Sequence, residues 1–402
     1  MSKLEELVRN LCPDGVEYKK LGEIATISRG GNFQKKDFLT EGVPCIHYGQ
    51  IYTKYGLFTD KTFTFISEEC AKKQKMAQPN DIVMAVTSEN IEDVCKCLAW
   101  LGDEPAAISG HSAIIHHNQN AKYLVYYFHS QMFFAQKRKL AHGTKVIEVT
   151  PDALVDITLP LPPIEVQREI VRILDNFTEL TAELTAEITA RQKQYAFYRN
   201  KLLTFGKTEE ARIERIPLGD IGSICMCKRI LKSQTNTVGG VPFYKIGTFG
   251  KKADAYISQE TFDEYRAKYN FPKKGDVLIS AAGTIGRTVV YNGEPAYFQD
   301  SNIVWIDNNE SIVLNSYLRY CYELKPWKAS EGGTIPRLYN DNIAKAVIAV
   351  PPIEEQKRIV SILDRFDAIC NDLTSGLPAE IEARQKQYEH YRDRLLSFKE
   401  LN

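Results

Sequence analysis

The sequence predicts a mixed α/β chain built twice. Two globular domains are each followed by a long helix, and the helices pack as an antiparallel coiled coil in a pseudo-two-fold repeat. Three observations predict this. Ala190-Arg191-Gln192-Lys193-Gln194-Tyr195 returns as Ala383-Arg384-Gln385-Lys386-Gln387-Tyr388. Upstream of it, Pro162-Pro163-Ile164-Glu165-Val166-Gln167 returns as Pro351-Pro352-Ile353-Glu354-Glu355-Gln356. Shorter landmarks then recur in the same order: Leu21-Gly22-Glu23-Ile24 with Leu218-Gly219-Asp220-Ile221, Val43-Pro44 with Val241-Pro242, Asp81-Ile82-Val83 with Asp276-Val277-Leu278, and Gly143-Thr144 with Gly333-Thr334. The helices are nearly identical while the domains diverge, so the helices do one job twice and the domains do two different jobs.

The first element is a short helix within 1–14, whose Leu4, Leu7 and Val8 are expected beside the end of the second long helix. Residues 15–160 form the first domain, with a buried strand at Ile82-Val83-Met84-Ala85-Val86 after an Asp turn and a helix from Ala121 to Leu140. Residues 161–210 form the first long helix. Pro162-Pro163 sets its start, because proline is tolerated at a helix entrance and not inside. Ile170, Ile173, Leu174, Phe177, Leu180, Leu184, Ile188, Tyr195, Tyr198 and Leu202 fall mostly three or four apart and make one apolar stripe. From Ile164 to Phe205 such a helix is on the order of 60 Å long and needs a partner stripe, which its repeat supplies. Residues 211–350 form the second domain, with a strand at Val277-Leu278-Ile279-Ser280 and a helix from about Asn315 to Trp327. Residues 351–402 form the second long helix, which Gly376 and Pro378 should break or kink. The first helix instead carries the tandem Thr181-Ala182-Glu183-Leu184, Thr185-Ala186-Glu187-Ile188.

A chain of 402 residues, 44% hydrophobic and 25% charged, has the make-up of a globular protein with two domains. No apolar run approaches the roughly 20 residues that cross a bilayer, and the first residues lack a signal-peptide pattern. The expectation is a cytoplasmic protein without a membrane partner. Lys plus Arg and Asp plus Glu both number 51. The segment 211–350, with 18 basic against 14 acidic residues, is the one basic stretch. A lone DNA binder is usually more basic overall, so nucleic-acid binding here must rest on local patches or on partners.

Motifs for catalysis are missing. Gly206-Lys207-Thr208 lacks the earlier glycine of a phosphate-binding loop and reads as a helix terminus, and Gly283-Thr284-Ile285-Gly286-Arg287 has no dinucleotide fingerprint around it. His111, His116 and His117 read as the ends of a strand. Cys95-x-Cys97 and Cys225-x-Cys227 lack metal-knuckle spacing, and nine scattered cysteines argue against a disulfide framework. Buried or half-buried thiols in strands, and no metal, are expected.

Two variable domains, each followed by a Pro-Pro-Ile-Glu-x-Gln helix ending in Arg-Gln-Lys-Gln-Tyr, resemble the specificity subunit of Type I restriction-modification enzymes over the whole chain, and the Thr-Ala-Glu-Leu tandem is similar to the IC subgroup. The resemblance implies a non-catalytic subunit with two target-recognition domains, each reading half of a split site in double-stranded DNA. It implies that the repeated helices act as a spacer and dock two methyltransferase subunits, through which restriction subunits join. It places S-adenosylmethionine and ATP in those partners, with no cofactor in this chain.

Base reading needs Arg, Lys, Asn, Gln, Ser or Thr on loops that can enter a groove. In the first domain the candidates are Arg29, Asn32, Gln34, Lys35 and Lys36 beside Gly30-Gly31, then Ser88, Asn90, Thr144 and Lys145. Their positional equivalents in the second are Lys228, Arg229, Lys232, Ser233 and Gln234, then Thr284, Arg287, Thr334 and Arg337. Two other readings stay open: a coiled-coil adaptor whose domains bind proteins and no DNA, and a self-sufficient enzyme fused to recognition domains.

Overall fold

The computed structural model describes residues 2–205, 213–328, 337–371 and 376–401. The chain divides into two compact units, Met1–Thr185 with Glu380–Asn402, and Ala186–Ala379. Each unit holds one globular domain, the first part of the helix that follows it and the last part of the other helix. The partition therefore cuts through both helices instead of separating them from the domains.

In the first unit the strand that enters the domain, Tyr18–Lys20, pairs antiparallel with the strand that leaves it, Thr158–Pro160. Between them lie a five-stranded sheet and a four-stranded sheet. The five-stranded sheet runs in the order Ala25–Arg29, Ser112–His117, Ile82–Ala85, Cys97–Trp100, Phe58–Thr59. The other has the order Thr64–Ile66, Val43–Ile46, Ala106–Ile108, Lys75–Ala77. Ile82–Ala85 is central and buried on both faces, which is why it reads as an unbroken apolar run. Asp81 makes the turn before it by accepting the Gln78 N–H at 2.7 Å.

The expected helix over 121–140 is two helices, Ala121–Phe128 and Gln131–Leu140. Ser130 separates them. Its hydroxyl accepts the Phe133 N–H as an N-cap, so a new helix starts where the apolar pattern alone runs on.

The second unit repeats this plan. Glu214–Pro217 pairs with Val347–Val350, a four-stranded sheet orders Gly222–Cys225, Ile303–Asn308, Val277–Ser280 and Thr288–Val290, and a smaller sheet is built on Val241–Tyr244. The helix at Asn315 stops at Glu323, short of Trp327, which packs on the Tyr322 ring at 5.4 Å.

The first long helix is unbroken over 40 residues, Ile164–Leu203. The second is described as two helices, Ile353–Asn371 and Leu377–Leu395; Gly376 lies outside both, Pro378 lies in the first turn of the later one, and residues 372–375 are outside the described residues. The repeated motifs explain themselves through contacts made once in each unit. Gln167 is buried, donates to the Pro162 carbonyl at 2.8 Å and accepts the Asn120 N–H at 3.1 Å. Gln356 donates to the Pro351 carbonyl at 2.8 Å and accepts the Leu314 N–H at 2.9 Å. Each amide thus satisfies backbone groups at the junction of domain and helix that would otherwise be buried unpaired. Tyr123 and Tyr317 act alike, donating to the carbonyls of Pro160 and Ala349 at 2.9 and 2.8 Å.

The apolar stripe is buried only in part. Ile170, Leu174 and Tyr195 are buried, with Val166, Val171 and Leu203 beside them, whereas Leu180 stays 37% exposed. In the second unit Tyr198 stacks on Phe366 while Arg191 lies near Cys370, so those two helix segments run in opposite directions. In the first unit Leu4, Leu7 and Val8 of helix Lys3–Leu11 join the core that contains Leu395, Leu396 and Phe398. The Val16 N–H donates to the Lys399 carbonyl at 2.8 Å, and the Leu401 N–H to the Val16 carbonyl at 3.0 Å. These bonds tie the start of the described chain to its end.

Candidate nucleic-acid interface

In the first unit the strand Ala25–Arg29 runs into Gly30-Gly31, whose backbone lies against Ser109. A Cβ at Gly30 would come within 2.3 Å of the Ser109 carbonyl oxygen, so only glycine allows that approach. The loop beyond it forms one wall of a cleft of about 970 Å³, with His47, Tyr48 and His111 on the other side. Arg29, Asn32, Gln34 and Lys35 line this cleft; Lys36, Ser88, Asn90, Thr144 and Lys145 do not.

Their surroundings differ. The Arg29 guanidinium is paired with the Glu148 carboxylate. Asn90 is committed to its own turn, accepting the Asp93 N–H and donating to the Asp93 carboxylate, both at 2.8 Å. Ser88 pairs with Ile147 beside the cleft, while Thr144 and Lys145 are exposed next to Gly143.

The cleft also holds Phe33, His47 and Tyr48, which pattern reading passed over, and His111, which it read as a strand end. With Phe38, which does not line the cleft, they form a row of rings in the order Phe33, Phe38, His47, Tyr48, His111, with successive centroids 6.4, 5.7, 4.6 and 4.9 Å apart. His47 caps helix Tyr48–Thr53, its Nδ1 accepting the Gly49 N–H at 3.2 Å. Burial, then the nearby Lys35 and His111, lower its pKa below the ordinary histidine value, so it is a neutral ring that carries its proton on Nε2. His111 stands 3.2 Å from the Thr87 hydroxyl through Nδ1. His111 precedes the strand Ser112–His117, where its sequence neighbours mark it only as a strand end. Nothing local in the sequence brings it to Tyr48.

The candidates in the second unit are dispersed. Arg229 and Lys232 line a cleft of about 470 Å³ together with Lys245, Asp254 and Gln299. Arg337 lines another of about 730 Å³, donating to Ser301 Oγ at 3.1 Å and Asn302 Oδ1 at 3.3 Å. The Lys228 ammonium lies over the Tyr269 ring at 5.2 Å. Gln234 closes its own turn, accepting the Leu231 N–H at 2.9 Å and donating to the Tyr265 hydroxyl at 3.2 Å. Arg287 donates to the Phe249 carbonyl at 2.9 Å. Ser233 and Thr284 are exposed and line neither cleft, and Thr334 lies outside the described residues, as does Gly206-Lys207-Thr208.

Among the described residues no group of three or more His, Cys, Asp and Glu side chains is placed to hold a metal ion. Cys97 and Cys225 lie in strands, but Cys95 lies in the turn before the first of these strands and Cys227 in the loop after the second. Burial pushes the Cys95 and Cys227 thiols up to about 12, so both stay protonated near neutral pH. No helix is long and apolar enough to cross a membrane among the described residues.

A family model described as the Type I restriction modification DNA specificity domain matches the chain twice, over residues 13–191 and 212–383. The chain belongs to this specificity-subunit family. A putative type I restriction enzyme specificity subunit from Haemophilus influenzae is 45% identical over 395 residues, covering 95% of this chain and 96% of the relative. The EcoR124I/EcoR124II specificity subunit of Escherichia coli is 34% identical over 257 residues, or 60% of this chain and 61% of that protein. Two solved structures share the fold. One, from a study of assembly and conformational transition of the type I R-M system, gives a TM-score of 0.61 at 19% identity, covering 96% of this chain and 98% of that one. The other, the S subunit from M. genitalium, gives 0.55 at 14%, covering 95% and 96%. The two matched specificity domains coincide with the two halves of the repeat, so the duplication seen in the letters is a duplication of the recognition unit.

Proposed function

We infer that this chain is the DNA-reading subunit of a type I restriction-modification complex. Its two domains read the two halves of a gapped site, and its repeated helices dock two methyltransferase subunits. The observation that carries this reading is the contrast between helix and cleft. The helix junctions are built alike in the two units, down to the amide bonds of Gln167 and Gln356, whereas the candidate recognition loops present different side chains in different clefts. Equivalent junctions suit two copies of one partner, and unlike clefts suit two different base sequences.

In this reading the chain is not itself catalytic. S-adenosylmethionine and ATP are handled by the methyltransferase and restriction subunits, and the complex works in the cytoplasm. Partner subunits add phosphate contacts to those made by a chain whose formal net charge is zero.

The test is a methylome of the host with and without this chain, by sequencing that detects N6-methyladenine. Loss of one two-part, gapped motif on deletion supports the reading and gives both half-sites. An unchanged methylome, together with failure to co-purify a methyltransferase subunit, would overturn it in favour of an adaptor.

A further inference from the structure

All seven histidines of the chain, at 47, 111, 116, 117, 129, 142 and 390, lie in the first unit, and the second unit contains none. Two of them, His47 and His111, stand in the cleft that also gathers Arg29, Asn32, Gln34 and Lys35. His111 is exposed at the cleft surface, with its ring 4.9 Å from that of Tyr48 and its Nδ1 beside the Thr87 hydroxyl. Thr87 is buried, and Tyr48 is held from behind because its N–H donates to Ser109 Oγ at 2.8 Å. The imidazole is thus oriented by a ring on one side and a hydroxyl on the other, and it opens onto the cleft. An oriented, solvent-facing imidazole can carry a proton when an acceptor or anion arrives, and imidazoles titrate near neutral pH.

We propose that His111 contacts a hydrogen-bond acceptor of the DNA as an imidazolium, so that the first domain takes up a proton when it binds its half-site and the second does not. This rests on the DNA-reading function inferred above. The charged and titratable groups facing His111 across the cleft are Arg29, Lys35, Glu148, His47 and the Tyr48 phenol. Arg29 and Glu148 are paired with each other, which leaves Lys35 as the cation of this cleft without an ion pair among the described residues. A phosphate or a base-edge acceptor of the bound duplex offsets that cation and pairs with the imidazolium. His47 has the other role. Its Nδ1 is occupied as the helix cap, so it stays neutral, offering a ring to the row and Nε2–H as a donor. Binding that takes up a proton weakens as pH rises, because the free state no longer supplies it.

The experiment uses the full chain assembled with its methyltransferase subunits and duplexes carrying its own gapped site. Affinity is measured by fluorescence anisotropy from about pH 6 to pH 8, with the first or the second half-site scrambled in turn. The wild-type complex should bind more weakly as pH rises, by up to about tenfold per pH unit for one proton. His111→Asn should flatten that dependence. His47→Asn, which keeps a capping oxygen, should lower affinity and leave the slope in place. If the slope survives scrambling of the first half-site, the acceptor is a phosphate; if it vanishes, the acceptor is a base edge; both outcomes support the proposal. A pH dependence untouched by His111→Asn, or carried by the second half-site, overturns it. A complex that shows no preference for the gapped site at any pH would instead defeat the DNA-reading function itself.

Discussion

Phe177 stacks on Tyr391 with ring centroids 5.5 Å apart and planes 24° from parallel, and their repeat equivalents Phe366 and Tyr198 stack at 5.7 Å and 24°. The first pair belongs wholly to the first unit and the second wholly to the second. Each unit therefore joins one long helix to the other with the same aromatic clasp. A double-mutant cycle of Phe177→Ala and Tyr391→Ala should give a coupling of about 0.5–1.5 kcal/mol, and the Phe366/Tyr198 cycle should match it. Zero coupling in denaturant unfolding would mean that the rings only share a neighbourhood.

Gln167 fixes the junction of domain and helix. Gln167→Ala removes its bonds to Pro162, Asn120 and Gln119 and leaves the buried Pro162 carbonyl and the half-buried Asn120 N–H without this partner. The expected loss is about 2–3 kcal/mol, with Gln356→Ala giving a like loss in the second unit. A thermal shift within error of wild type for either variant would show that water takes the place of the amide.

The first unit should be the acid-labile one. His117 is buried, and burial, helped by His116, pushes its pKa down to about 4. The folded value lies below the unfolded value near 6.5, so the unfolded chain binds more protons between them. Stability is then present above about pH 6.5 and is lost as pH falls toward 4, by at most about 3 kcal/mol for this group. Hydrogen exchange, corrected for its intrinsic pH dependence, should reveal loosening of residues 112–128 at about pH 5. Equal loosening of residues 303–323, a region without histidine, would contradict the assignment.

Glu148 restrains Arg29, one of the two cations that line the first cleft. Glu148→Gln frees Arg29 and adds one net positive charge to the first cleft. Binding of the assembled complex should tighten, and the slope of log K against log salt should steepen by about 1. Arg29→Ala should shift both the other way, and an unchanged salt slope in both variants would place the cleft away from phosphate.

Within the second domain, Lys232 and Arg287 should separate recognition from structure. Lys232 lines the cleft, whereas Arg287 holds the Phe249 carbonyl at 2.9 Å. Lys232→Ala should weaken DNA binding with stability unchanged, and Arg287→Ala should lower stability by about 1–3 kcal/mol. The reverse result would exchange their roles.

Thr181–Leu184 lies inside the unbroken helix Ile164–Leu203. Its deletion removes about 6 Å of helix. The methylated motif should keep both half-sites and change only its gap, and an altered half-site would refute the helix as a ruler.

Much of this architecture is written in local letters. The Pro-Pro entrances, the apolar stripe, the Asp turns before Ile82 and Val277 and the helix start beside Gly376 are all set by backbone chemistry that neighbouring residues share. Periodicity did not separate the helices at Ser130, because a single capping hydroxyl outweighs a continuing apolar pattern there. It also could not say which basic loop residues are free, since Asn90, Gln234 and Arg287 resemble base readers in sequence and are spent on turns and a carbonyl in three dimensions. By itself, then, the sequence determined that the chain is a duplicated scaffold with two unlike domains, because repetition and helix periodicity are carried by near neighbours. Only the tertiary structure decided that His47, Tyr48 and His111 meet Arg29 and Lys35 in one cleft, because strands far apart in the chain must pair before those side chains can share a surface.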